Sequence, residues 1–154
     1  MFFNKYKFVF KKISKSDVFF IDNLYFQLNL NRFKTYHLKI DEINLLYLFK
    51  TYKNYFLNKN CKTLKLAYFF TIIREADPKV IIENSEGRTG KIFKDIYPSS
   101  KLIIYQNGID FRKGFFLKTS FNRSNPDYFL IWSKIFSHVS KQKKKNLVTG
   151  SLRN

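Results

Sequence analysis

The sequence predicts an α+β fold: a single small domain of mostly antiparallel strands packed with two main helices, carrying a basic N-terminal arm and a basic C-terminal tail. Three observations predict it. Apolar Leu24, Phe26, Leu28 and Leu30 alternate with Tyr25, Gln27 and Asn29, and Tyr36, Leu38 and Ile40 repeat the pattern, which is the period of half-buried strands. Asn107-Gly108 stands between two apolar runs, the strongest short hairpin signal, because both central residues tolerate positive φ. Residues 41–57 and 125–139 each place apolar side chains three and four apart behind a capping residue, as amphipathic helices do.

The elements follow in order. "KYKFVFKKISK" near the start is basic and aromatic without a clean period, so residues 1–16 read as an arm or a first strand. A turn through "NRFK" joins the two alternating strands as a hairpin with Arg32 and Lys34 near its tip. The period then changes: Asp41 caps, and Leu45, Leu48, Phe49, Tyr52, Tyr55 and Phe56 form one stripe. Asp41 and Glu42 sit at the positive end of that helix, where negative charge gains ~0.3–1 kcal/mol. "LKLAYFFTII" reads as a buried strand on its β-branched and aromatic content, ended by Asp77-Pro78. "KVIIE" is the next strand, and residues 101–106 and 109–118 form the Asn-Gly hairpin, with Arg112 and Lys113 on opposite faces. In the last helix Asn125 caps, Pro126 takes the first helical position, Asp127 sits in the first turn, and Tyr128, Ile131, Trp132, Ile135, Phe136 and Val139 make the stripe. Residues 17–140 are thus the domain. Residues 141–154, "KQKKKNLVTGSLRN", carry five basic residues and no acid, a tail expected to order only on meeting a partner.

Charge bounds the partners. The 154 residues suffice for one core, and 45% of them are apolar. Lys and Arg number 29 against 11 Asp and Glu, a formal net charge of +18. Such an excess calls for a polyanion, because each phosphate neutralised releases condensed counterions. Abundant Phe, Tyr, Asn, Lys and Ile with few Ala and Gly mark an A+T-rich genome, and drift toward AAA codons supplies some of the Lys. It does not supply the lack of acids: none occurs through Ser16, and Asp127 alone follows Asp110. Arginines run against the drift, so Arg88, Arg112 and Arg123 are preferred anchors, since a planar guanidinium grips phosphate in a bidentate way.

The loop "NSEGRTGKIF" suggests a nucleotide cradle, but Ser85 stands where a P-loop has its first glycine and Ile92 where it has its hydroxyl. Arg88 and Lys91 there remain suited to a phosphate of something larger. One cysteine, Cys61, excludes an internal disulfide and fits a reducing compartment, and with only His37 and His138 no zinc spacing arises. Neither histidine is assigned a role, and Cys61 reads as a buried filler. No nucleophile elbow or H-E-x-x-H pair occurs. Glu75, Asp77, Glu83, Glu86 and Asp95 are the one acidic cluster a two-metal nuclease could use, and solvated acids flanking a turn are the commoner arrangement. The longest apolar stretch, "LAYFFTII", falls far below the ~20 residues that cross a bilayer. The start has the look of neither a transit peptide nor a secretion signal, so the protein is expected to be made where it works or to have lost a leader. The many aromatic rings belong to the core first, with "FFNKYKFVFKK" and "YQNGIDFRKGFF" as places where RNA contact competes with packing.

A small aromatic-rich α+β domain with a basic hairpin, a basic tail and no catalytic signature resembles the ribosomal proteins encoded in A+T-rich mitochondrial genomes of protists. The resemblance is one of character over the whole chain. It implies a structural component of the mitochondrial ribosome, with no enzymatic turnover, no cofactor, no metal and no small-molecule substrate. Ribosomal RNA and neighbouring ribosomal proteins would be its partners in the mitochondrial matrix. The RNA-binding residues expected are Arg32, Lys34, Arg88, Lys91, Arg112, Lys113, Arg123, Lys141, Lys143, Lys144, Lys145 and Arg153. Two other readings stay open: an accessory subunit of a respiratory complex, using residues 41–62 as an amphipathic surface helix, and a small metal-dependent RNA-processing nuclease.

Overall fold

A computed structural model describes residues 6–21, 31–39, 41–59, 61–84, 97–105, 126–131 and 146–149. The elements are β1 (Lys7–Val9), β2 (Val18–Phe20), β3 (Thr35–His37), β4 (Glu42–Asn44), a 3-10 turn (Leu45–Tyr47), α1 (Leu48–Leu57), α2 (Leu64–Ala76), β5 (Val80–Asn84), β6 (Lys101–Tyr105), β7 (Tyr128–Ile131) and β8 (Asn146–Val148). β1 and β4 form a small parallel pair. The other six strands form one sheet in the order β3-β2-β5-β6-β7-β8, and every pairing in it is parallel.

The expected mostly antiparallel α+β domain is therefore replaced by an α/β-type fold on a parallel sheet. Its physical signature is burial on both faces. Phe19, Ile81, Leu102, Ile104, Phe129 and Ile131 pack with Leu66, Phe69, Ile72 and Ile73 of α2 in one cluster. Val18, Phe20, Ile82 and Tyr105 form a second, with Val80, Ile103 and Leu130 against it. A strand covered on both sides needs a continuous apolar run, and "VFF", "VIIE", "LIIY" and "YFLI" supply four. Each fully buried side chain among them contributes roughly 1.5–3 kcal/mol.

Individual elements depart from expectation for local reasons. β6 is flanked by β5 on one side and β7 on the other, so it has no edge left for the hairpin strand expected at residues 109–118. That strand and the Asn107-Gly108 turn lie outside the described residues, as does the strand expected at residues 24–30. β3 pairs with β2 in parallel. The stretch "LKLAYFFTII" lies in helix α2 rather than a strand: the Thr63 hydroxyl accepts the Leu66 N–H at 3.2 Å and caps it. Seven apolar residues of α2 are buried, on more than one side of the helix, as in a helix sunk into a core. α2 ends at Asp77, whose left-handed backbone (φ 46°, ψ 56°) precedes Pro78, a position where a short polar residue is tolerated. The helix expected from Asp41 starts later, because Glu42–Asn44 pair with β1 first. The Asn44 side chain then accepts from Leu46 N–H at 3.3 Å and opens the 3-10 turn.

The helix expected behind Asn125 is strand β7 over its first turn; residues 132–139 of it lie outside the described residues. Asp127, expected as a helix-start acid, instead ties two strands together. Its Oδ2 accepts the Leu102 N–H at 2.8 Å, and its own N–H donates to the Leu102 carbonyl at 2.9 Å. Asp17 acts similarly at the start of β2, accepting from Lys34 N–H at 3.1 Å. Within the tail, β8 pairs with β7, and Thr149 N–H donates to the Ile131 carbonyl at 2.9 Å. Residues 146–149 thus belong to the sheet before any partner arrives.

Candidate nucleic-acid interface

Counted along the chain, the six strands of the large sheet lie in the order 2-1-3-4-5-6, the doubly wound arrangement in which connections leave the first strand in opposite directions. In such sheets ligands collect beyond the carboxyl ends of the strands at that reversal. Here it falls between β2 and β5, joined at their ends by Ile21 N–H to the Ile82 carbonyl at 3.0 Å. β5 ends at Asn84, and Arg88 and Lys91 follow it in the sequence. β6 ends at Tyr105, and "QNGIDFRK" follows.

The opposite, amino edge of the sheet collects acids, and each is engaged. Lys79 Nζ lies 3.1 Å from Asp17, Lys15 Nζ 2.8 Å from Asp77, and Lys101 Nζ 3.5 Å from Asp127. The Lys34 N–H, and then the Lys79 ammonium, hold the Asp17 carboxyl below the usual aspartate range. Lys15 does the same for Asp77, helped by the Tyr97 hydroxyl that donates to it. Elsewhere Lys50 pairs with Glu75 at 2.7 Å, while Lys39 at 2.9 Å and Lys7 at 4.0 Å share Glu42. Glu83 is buried in the sheet.

Six lysines are spoken for in this way. Nine cations, Lys11, Lys12, Arg32, Lys34, Lys53, Lys59, Lys62, Lys65 and Arg74, are exposed and form no ion pair with another described residue. Lys65 Nζ lies 5.5 Å from the centre of the Phe69 ring, a cation–π contact that supplies no counter-anion. Lys62 and Lys65 flank Thr63 at the start of α2, whose first turn holds no acid. Positive side chains at the positive end of a helix oppose each other, and an anion placed there relieves both.

Of the expected contact residues, Arg32 and Lys34 are described: both are exposed, on the approach to β3. Arg88, Lys91, Arg112, Lys113, Arg123, Lys141, Lys143, Lys144, Lys145 and Arg153 lie outside the described residues. The lysines of α1 and α2 are not among the expected contacts, since a preference for arginine as the phosphate-gripping cation passes over them. A signal for them exists: no Asp or Glu occurs between Glu42 and Glu75.

Other groups offer little reactive chemistry. A cleft of about 260 Å³ opens between β1, β3 and β4, lined by Lys11, Tyr36, Lys39, Glu42 and Tyr68 among others. Its polar atoms largely serve the fold: Tyr68 Oη accepts the Asn44 N–H at 2.7 Å, and Glu42 holds Lys39. Burial first, then nearby Tyr68 and Glu42, pushes the Tyr36 phenol up to about 12. His37 stacks on Phe20 at 4.5 Å, and burial lowers its pKa. Cys61 is buried, which raises its thiol pKa. Among the described residues no three His, Cys, Asp or Glu side chains come together to hold a metal; Glu86 and Asp95 of the acidic cluster lie outside them. No helix of the described residues is long and apolar enough to cross a membrane. No known protein family, curated protein or solved structure matches the chain.

Proposed function

We propose that this chain is a structural component of the mitochondrial ribosome, binding ribosomal RNA through its surface cations and touching neighbouring ribosomal proteins. The observation that carries the reading is the set of nine exposed Lys and Arg side chains that form no ion pair with another described residue. The described acids are spent on strand starts, ion pairs or the interior, apart from exposed Asp41. The positive excess is thus left facing solvent, where phosphates discharge it with release of counterions. Arg32 and Lys34 near β3, Arg88 and Lys91 in the sequence after β5, Arg112 and Lys113 in the sequence after β6, Arg123 before β7, and Lys141, Lys143, Lys144, Lys145 and Arg153 on either side of β8 in the sequence are the proposed phosphate contacts. Their work is positioning, without turnover.

The exposed aromatic face of α1 favours a second reading, an accessory subunit of a respiratory complex. Sucrose-gradient sedimentation of mitochondrial extract separates the two. Co-migration with a ribosomal subunit, released by high salt or ribonuclease, is the expected result. Migration with a detergent-solubilised respiratory complex, insensitive to ribonuclease, would replace it with the second. Magnesium-dependent RNA cleavage by the pure chain, lost in Asp95→Ala and in Glu83→Ala, would replace both with a nuclease.

A further inference from the structure

Helix α1 and the 3-10 turn before it leave large apolar side chains in solvent. On the side toward α2, Thr51 is buried with its hydroxyl on the Tyr47 carbonyl at 2.8 Å, and Asn54 Nδ2 donates to the Thr71 hydroxyl at 2.8 Å. On the solvent side, beside exposed Lys50 and Lys53, Phe49 is 83% exposed, Phe56 78% and Leu57 72%, with Leu46 and Tyr52 half exposed. Leu46 in the 3-10 turn and Phe49, Lys53 and Phe56 of α1 follow one another at intervals of three, four and three, which is the seam spacing by which one helix receives another. Rings and leucines on one side of a ten-residue helix make an apolar patch on the order of a few hundred Å², the size that marks an interaction site.

We propose that this face docks an acidic amphipathic helix of a neighbouring protein, its apolar stripe on Phe49 and Phe56 and a carboxylate opposite Lys53. Charge chooses the partner. α1 holds Lys50 and Lys53 and no acid, and Lys59 and Lys62 follow beyond its end. Lys50 already has Glu75, whereas Lys53, Lys59 and Lys62 have no acidic partner among the described residues. A second copy of a chain with net charge +18 would bring like charge to like. Single-stranded RNA could stack on the rings but gains little from Leu46 and Leu57, which a helix partner buries. The inference gives a place to the protein contacts of the ribosomal reading, and rests on that reading only for the assembly in which they occur.

The test is fluorescence anisotropy of the full chain with a labelled helical peptide bearing leucine at seam positions and glutamate beside them. A twin peptide with lysine in place of each glutamate is the control. The glutamate peptide should bind saturably and the lysine peptide should not. Phe49→Ser with Phe56→Ser should weaken binding by about tenfold or more with thermal unfolding and RNA affinity essentially unchanged, and Lys53→Glu should weaken peptide binding comparably. Tyr52→Ser serves as a milder variant if the double substitution lowers stability. Absence of saturable binding, equal binding of the two peptides, or indifference to all three variants overturns the proposal. So does loss of RNA affinity in the phenylalanine variants, which would make the face a base-stacking surface, or loss of binding to phosphatidylserine vesicles alone, which would make it a membrane contact. RNA titration of the parent chain reads the ribosomal proposal separately.

Discussion

Asp127 shows how a single side chain can point reasoning the wrong way. An acid one residue after Pro126 and two after Asn125 matches the start of a helix, and the match is local and correct as far as it goes. What decides the outcome lies twenty-five residues away: the Leu102 N–H at the start of β6, which Asp127 Oδ2 accepts at 2.8 Å. Removing the carboxylate leaves that amide, in a residue 1% exposed, without its acceptor. Asp127→Ala should therefore destabilise the fold by about 1–3 kcal/mol in urea unfolding, whereas an ordinary surface change costs under about 0.5 kcal/mol. Asp17 and Asp77 make a related prediction for pH. Both carboxyls titrate below their ordinary value in the folded chain, so the unfolded chain takes up protons first as pH falls. Their stabilising effect is complete above the unfolded aspartate pKa of 3.8 and is lost as pH drops through the lower, folded values. Acid titration followed by circular dichroism should show Asp17→Asn with Asp77→Asn shifting the unfolding midpoint less steeply below pH 4 than the parent chain.

Among the elements, "VIIE" and "LIIY" were legible as strands and appear as β5 and β6. Their orientation was not, because an Asn-Gly turn weighs heavily in a local reading, while the competing partner, β7, begins far along the chain. The better signal was already present in unbroken apolar runs, which suit strands covered on both faces. "LKLAYFFTII" was ambiguous by periodicity, as buried runs are, and length decides it: the thirteen residues of α2 exceed what a short buried strand uses. The tail is the element whose role the fold changes most. Deleting residues 146–154 removes β8 and its ladder with β7, so the melting temperature should fall measurably in differential scanning calorimetry. Replacing Lys141, Lys143, Lys144 and Lys145 with glutamine should leave that temperature nearly unchanged while weakening RNA binding. Equal thermal stability of the deletion and the full chain would show that β8 adds nothing to the sheet.

For the whole molecule, salt is the test. If phosphates neutralise the exposed cations, log K for RNA falls linearly with log salt, and each contact contributes a slope of about 0.7–0.9. Arg32→Gln with Lys34→Gln should lower the slope by about twice that amount in filter-binding titrations, and a salt-independent affinity would end the phosphate reading. Charge excess and one core's worth of apolar residues followed from the sequence alone, because these are sums over residues that folding leaves unchanged. Strand order and direction, and which lysines find an acid, came only with the tertiary structure. Parallel pairing joins segments far apart in the chain, and ion pairs such as Lys15 with Asp77 or Lys79 with Asp17 span 62 positions, a range over which no local pattern carries information.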